Sequence, residues 1–119
     1  MKIIKTERGW PAHFICASKC MFRRNTLLEY GNKRIVVSTV GSMILKDEKG
    51  IQEIGCDRYH ETMAFWAKQE GVYWEADVSK EVSIGCRCGL GKDVDDLQVN
   101  KMHETVVKEL SKKLSTGIL

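Results

Sequence analysis

Three sets of side chains in this chain are of types that do chemistry, and their spacing limits what each could do. The first is thiol and imidazole. His13, Cys16 and Cys20 lie three and four residues apart, Cys56 and His60 form a C-x3-H pair, and Cys86-Arg87-Cys88 adds two more thiols. Zinc takes four Cys or His ligands, commonly paired as C-x2–4-C and H-x3–5-H, and this set fits that pattern only loosely. Cys16 also closes the apolar run Phe14-Ile15-Cys16. Free cysteine is among the most buried residue types, so core packing accounts for the same residues. The expectation is therefore no metal and no cofactor.

The second set is basic. Lys19, Arg23, Arg24, Lys33 and Arg34 cluster around Phe22 and Tyr30, a combination that can supply phosphate contacts and base stacking. Adjacent arginines beside a strand also serve as a solvated edge that discourages aggregation. The third set is acid–base and nucleophilic. Glu61, Glu75, Asp77, Asp93, Asp95 and Asp96 are scattered over turns and solvent faces, and five cysteines and three histidines allow Cys–His pairs only on paper. No nucleophile elbow, P-loop or dinucleotide fingerprint is present; GCRCGLG follows no convincing strand and opens no helix directly. No catalytic residue is expected. The aromatics Trp10, Phe22, Tyr59, Trp66, Tyr73 and Trp74 exceed what one small core needs, and Tyr, Trp and Arg are enriched at binding hot spots.

Composition narrows the setting. At 119 residues with 43% hydrophobic and 29% charged side chains, the chain is expected to form one soluble domain with a real core. No secretory leader is read at MKIIKTERGW, and the apolar window Ile35 to Leu45 is too short and too interrupted to span a bilayer, so a cytoplasmic location with free thiols is expected. The net charge of +3 conceals +7 over residues 1–46, −6 over 47–100 and +2 over 101–119. Folding is expected to interleave these regions and cancel much of the field.

The elements that would position these side chains centre on Met21 to Gly41. Thr26 to Tyr30 and Lys33 to Val40 read as a β-hairpin about a Gly31-Asn32 turn, with β-branched residues in the return strand. Lys2 to Thr6 reads as a short strand, Gly9-Trp10-Pro11 as a break, and His13 to Cys16 as a second short strand. Ala17 to Asn25 is either a helical turn capped by Ser18 or a loop. Met43 to Leu45 reads as a further strand before the turn KDEKG, and Ile51 to Ile54 as its return. Tyr59 to Lys68 and Val72 to Val78 form a second hairpin across Gln69-Glu70-Gly71, although the first of these segments also has helix formers and a cap near Asp57. Ser79 to Asp96 reads as an exposed loop. From an Asn100 N-cap to residue 115, Met102, Val106, Leu110 and Leu114 repeat at helical spacing, with Val99, His103 and Val107 beside them and Gly117 closing the helix. Glu104 with Lys108 and Glu109 with Lys113 are i,i+4 pairs. The pattern is α+β: a curved antiparallel sheet of hairpins, five or six strands, roofed by one C-terminal amphipathic helix.

The segments RGWPAHFICASKCMFRRNTLLEY, RIVVSTVGSM, IQEIGCDRYHETMAFWA and YWEADVSKEV, with the MHETVVKEL helix, resemble a family of small uncharacterised proteins from enterobacterial phages, prophages and mobile elements. The resemblance covers about residues 6–82 and that helix, and leaves out the GCRCGLG loop. It implies an accessory protein that binds a host or defence protein, as an anti-CRISPR-like inhibitor would. Arg23, Arg24, Arg34, Arg58, Tyr59 and Tyr73 are the expected partner-binding residues, and a homodimer is a further expected form. The alternative is a small nucleic-acid-binding regulator using the Lys19–Arg34 segment.

Overall fold

The computed structural model describes residues 2–8, 20–43, 60–85 and 95–119. In chain order these form β1 (Ile4–Glu7), β2 (Cys20–Tyr30), β3 (Lys33–Met43), β4 (His60–Glu70), β5 (Tyr73–Val82) and α1 (Asp96–Ser115). The strands make one antiparallel sheet in the order β1-β2-β3-β4-β5, and α1 lies across one face. This is the α+β arrangement expected. No helix among the described residues is long and apolar enough to cross a membrane.

The β2–β3 hairpin forms about Gly31-Asn32, with Tyr30 opposite Lys33 and Gly31 at φ +60°. It is longer than the residue pattern indicates. β2 begins at Cys20, so residues 20–25 are strand rather than a helical turn or loop, and β3 continues through Met43 rather than ending before a new strand there. Cross-strand pairing from Cys20↔Met43 inward overrides the weak local preference of CMFRRN. The second hairpin confirms β4 as a strand, not a helix. Its connection is the two-residue Gly71-Val72, with Gly71 at φ +60°, instead of the three-residue tip expected.

β5 runs on to Val82, which overturns the loop expected from Ser79. Its polar tail escapes a periodicity reading because the ladder is interrupted. The register jumps from Phe65↔Glu81 to Ala67↔Ala76, so one β4 residue faces four residues of β5 and the edge strand bends there. In that bend the Asp77 carboxylate accepts from the Ser79 backbone N–H at 3.1 Å and from its hydroxyl at 2.5 Å.

Helix α1 starts at Asp96, not after Asn100. Asp95 is the N-cap: its carboxylate accepts the Gln98 N–H at 2.9 Å while Gln98 Oε1 accepts the Asp95 N–H at 3.3 Å, a reciprocal capping box. Gly117, at φ +79°, follows the C-cap Thr116 as expected. The expected strands at His13 to Cys16 and Ile51 to Ile54, and the KDEKG turn, lie outside the described residues.

The helix buries Val106, Val107, Leu110 and Leu114 against Leu28, Ile35, Val37, Ala64 and Val82. Each large aliphatic side chain removed from water in this way contributes about 1.5–3 kcal/mol before entropy is counted. β3 is buried on both sides: every residue from 35 to 41 is withdrawn from solvent, including Val36 and Val40 on the face away from the helix. That explains why its sequence is a near-continuous apolar run rather than an alternation.

Gly41 is fixed by a neighbour. It pairs with His60, whose imidazole covers it so closely that a methyl group there would lie 2.0 Å from His60 Cδ2. The His60 ring also meets Phe22 edge-to-face at 6.2 Å and 82°. Gly41→Ala should therefore cost about 3 kcal/mol, the upper end for overpacking a core. Gly71→Ala, in open space but at positive φ, should cost about 1 kcal/mol. Denaturant midpoints measure both. The Gly41 penalty should largely vanish in a His60→Ala background, and its persistence there would assign it to the backbone instead.

Candidate functional site

The arginines grouped by the sequence are separated by the fold. Alternation places Arg24 on the helix side of β2 and Arg34 on the opposite side of β3. Arg24 Nη2 donates to Glu7 Oε2 at 2.8 Å and to Glu104 Oε1 at 2.6 Å, its Nε to Glu7 Oε1 at 3.3 Å, and its Nη1 to Asn100 Oδ1 at 3.3 Å. One guanidinium thus ties β1, β2 and α1 together. Arg34 donates to Glu29 Oε2 at 3.0 Å and stacks 4.2 Å above the Trp74 ring. Lys33 donates to the Leu119 carbonyl oxygen. Arg23 is half-buried, on the opposite side of β2 from Arg24. Tyr73 is 70% exposed. Lys19, Arg58 and Tyr59 lie outside the described residues.

The thiol and imidazole set is divided as well. His13, Cys16, Cys56, Cys86 and Cys88 lie outside the described residues, and Cys20 opens β2. His60 is buried over Gly41, on the same face as Thr62, Ala64 and Trp66. Among the described residues no group of three or more His, Cys, Asp or Glu side chains is placed to hold a metal ion.

The polar centre that does form was not singled out by spacing. His103, fully buried on α1, bridges two strands: Nε2 lies 2.7 Å from Thr26 Oγ1 and Nδ1 lies 2.7 Å from Thr39 Oγ1. Thr26 Oγ1 donates to Glu7 Oε2 at 2.7 Å, and Thr39 Oγ1 lies 2.6 Å from Thr62 Oγ1. These contacts fix the proton positions. A carboxylate only accepts, so the Thr26 hydrogen points at Glu7 and Thr26 must accept from His103 Nε2–H. Nδ1 of the neutral ring is then the acceptor for Thr39, which in turn accepts from Thr62. The relay runs one way, Thr62→Thr39→His103→Thr26→Glu7, with the tautomer assigned by the network.

Electrostatics favour the neutral ring. Burial, reinforced by the Arg24 charge, pulls the His103 pKa down to about 4 against the counter-effect of Glu7 and Glu104. For Glu7, burial alone would raise the pKa. Hydrogen bonds from Arg24 and Thr26 and the Arg24 charge outweigh it, and the net direction is down. The His103 side chain is fully buried. The open cleft of about 440 Å³ between the β2–β3 tip and the helix C-terminus is lined by Tyr30, Lys33, Leu114 and Thr116 among others, with no carboxylate, thiol or imidazole. His103 therefore acts as a brace between helix and sheet.

A second anchor secures the far edge of the sheet. Arg8 pairs with Asn25 through its backbone N–H (2.7 Å to the carbonyl oxygen) and through Nε (2.8 Å to Oδ1), and its Nη1 donates to the Trp74 carbonyl oxygen. Trp74 is thus held at its backbone by Arg8 and at its ring by Arg34. Strand alternation then turns Tyr73 outward. Val72 at 85% and Val78 at 65% exposure are further exposed apolar residues of the β4–β5 hairpin. Tyr73 is among the expected partner-binding residues, whereas Val72 and Val78 bound the expected second strand of that hairpin, where β-branched residues are normally covered. The relay threonines were missed because each is an ordinary strand residue; a histidine on an otherwise apolar helical stripe was the available signal.

No family model, curated protein or solved structure matches this chain.

The relay makes stability pH-dependent with a definite sign. His103 is depressed in the folded state, so the unfolded chain binds a proton that the native chain refuses. Stability is full above the unfolded pKa near 6.5 and falls as pH drops toward about 4. The expected loss is on the order of 3 kcal/mol, with Glu7 adding to it as its carboxylate protonates. Chemical denaturation at stepped pH measures this. His103→Gln, which keeps one donor and one acceptor but cannot titrate, should flatten the profile between pH 6.5 and 4.5.

Proposed function

We propose that this chain is a non-enzymatic binding protein that engages another protein through the β4–β5 hairpin. The observation that carries the reading is the exposed Tyr73, with Val72 beside it at the hairpin turn and Val78 further along the edge strand, next to a Trp74 held at both backbone and ring. An exposed tyrosine is a common hot-spot residue, and Val72 directly beside it extends the apolar surface at the hairpin tip. The internal pairing of Arg24 and Arg34 counts against a phosphate-binding surface, and the sealed His103 counts against catalysis. The likeness to small phage and mobile-element proteins supports a host or defence protein as the partner, met in the host cytoplasm. The proposed contact set is Arg23, Arg24, Arg34, Arg58, Tyr59 and Tyr73, with the exposed Tyr73 at its centre and with Arg24 and Arg34 also engaged within the fold.

Tagged protein expressed in an enterobacterial host, with its captured partners identified by mass spectrometry, tests the proposal. A specific protein should be enriched, should stay bound as salt rises, and should be lost from the Tyr73→Asp/Val78→Asp double variant. Loss of a hot-spot aromatic corresponds to at least about 30-fold weaker binding. Capture of nucleic acid that elutes steeply with salt would favour the regulator reading instead. Identical capture by the double variant would remove the hairpin from the interface.

A further inference from the structure

The contacts that hold α1 to the sheet change character halfway along it. Its C-terminal half supplies Val106, Val107, Leu110 and Leu114 to the main apolar cluster, whereas residues 96–104 supply none of that cluster. In the N-terminal half Val99 is buried and Met102 partly so, and the hydrogen bonds to the sheet among the described residues are polar anchors: His103 on Thr26 and Thr39, Glu104 and Asn100 on Arg24. Glu7 joins both sets, accepting from Thr26 and from Arg24. Every titratable contact in this set therefore bears on the same half of one helix.

We propose that α1 is a two-part element whose N-terminal half, residues 96–104, is an acid-released flap over the Thr26–Thr39–Thr62 patch of the sheet, while the C-terminal half stays docked.

The geometry explains why acid opens it. A second proton on His103 must sit on Nδ1, where the Thr39 hydrogen now points. Thr39 would have to turn that hydrogen to Thr62, and Thr62 would have to redirect its own. Among the described residues the charged groups facing the ring are Glu7 from β1, Arg24 from β2 and Glu104 from its own helix, while β3 and β4 present the hydroxyls of Thr39 and Thr62. Arg24 opposes the cation directly. Glu7 favours the cation, and it stays ionised between pH 7 and pH 5 because Arg24 and Thr26 hold its carboxyl below the usual range; it lessens the penalty on the buried cation without removing it. Release relieves the conflict: His103 takes its proton in water, away from the Arg24 charge.

With an open-state pKa near 6.5 and a closed-state value of about 4, the opening constant rises about twentyfold between pH 7 and pH 5 from His103 alone. Hydrogen exchange on the full chain reads it, as protection factors corrected for the intrinsic pH dependence of exchange. Amides of residues 100–104 should lose about twentyfold protection over that interval while those of residues 107–114 hold theirs. His103→Gln should abolish the loss. Equal loss in both halves would mean that the helix leaves as one body and would overturn the proposal. So would unchanged protection at residues 100–104 while the wild-type imidazole, followed by NMR, titrates near 6.5, because the cation would then be accommodated in place. That last result needs no variant and stands even if His103→Gln folds poorly.

Discussion

A single neutral imidazole joins the roof of this protein to its floor. His103 reaches from the helix to the two central strands it covers, and both ring nitrogens are satisfied at 2.7 Å by hydroxyls on different strands. A buried polar group without partners costs about 1–3 kcal/mol, whereas a fully paired one fixes geometry that apolar contacts leave loose. Leucines and valines along the helix would tolerate small slides across the sheet. Two hydrogen bonds of opposite polarity would not. The relay therefore sets the register of helix against sheet, and the apolar cluster supplies most of the adhesion.

The charge pattern follows from the same arrangement. Among the described residues the basic first third of the chain meets the helical segment directly, because Arg24 on β2 closes onto Glu104 of α1 as well as onto Glu7 of β1. On the other side of the sheet Arg34 is taken by Glu29 and Trp74. Individually such partly exposed ion pairs add little stability. Their effect here is on what the surface offers, since the Arg24 guanidinium, engaged at all three nitrogens, has few donors left for phosphate.

What the sequence made legible was what local chemistry controls. The Gly31-Asn32 turn, the β-branched return strand, the apolar helical stripe and the closing Gly117 all follow from short-range preference, and all occur. What it hid depends on partners far along the chain. Residues 20–25 carry no strand signal of their own and are ordered by pairing with β3. The tail of β5 is polar and lies beyond a break in the ladder, so it resembles a loop. Asp95 was passed over as a cap because exposed Leu97 blurs the start of the apolar stripe and Asn100 offers a second good cap residue. Thr26 and Thr39 meet His103 across separations of 77 and 64 residues, which no spacing rule spans.

The exposure of Tyr73 is a consequence of order rather than of looseness. On a strand, neighbouring side chains must point to opposite faces, so whatever fixes one also aims the next. Trp74 is fixed twice, by a hydrogen bond from Arg8 across the sheet and by the guanidinium of Arg34 above its ring. The bend that follows, where four residues of β5 oppose one of β4, prevents the outer edge from presenting a long regular ladder to another strand. An edge interrupted in this way is a poor template for open-ended strand addition. Recognition at this edge would then rest on side chains near the hairpin tip, where the pinned tryptophan sets the direction of the tyrosine beside it.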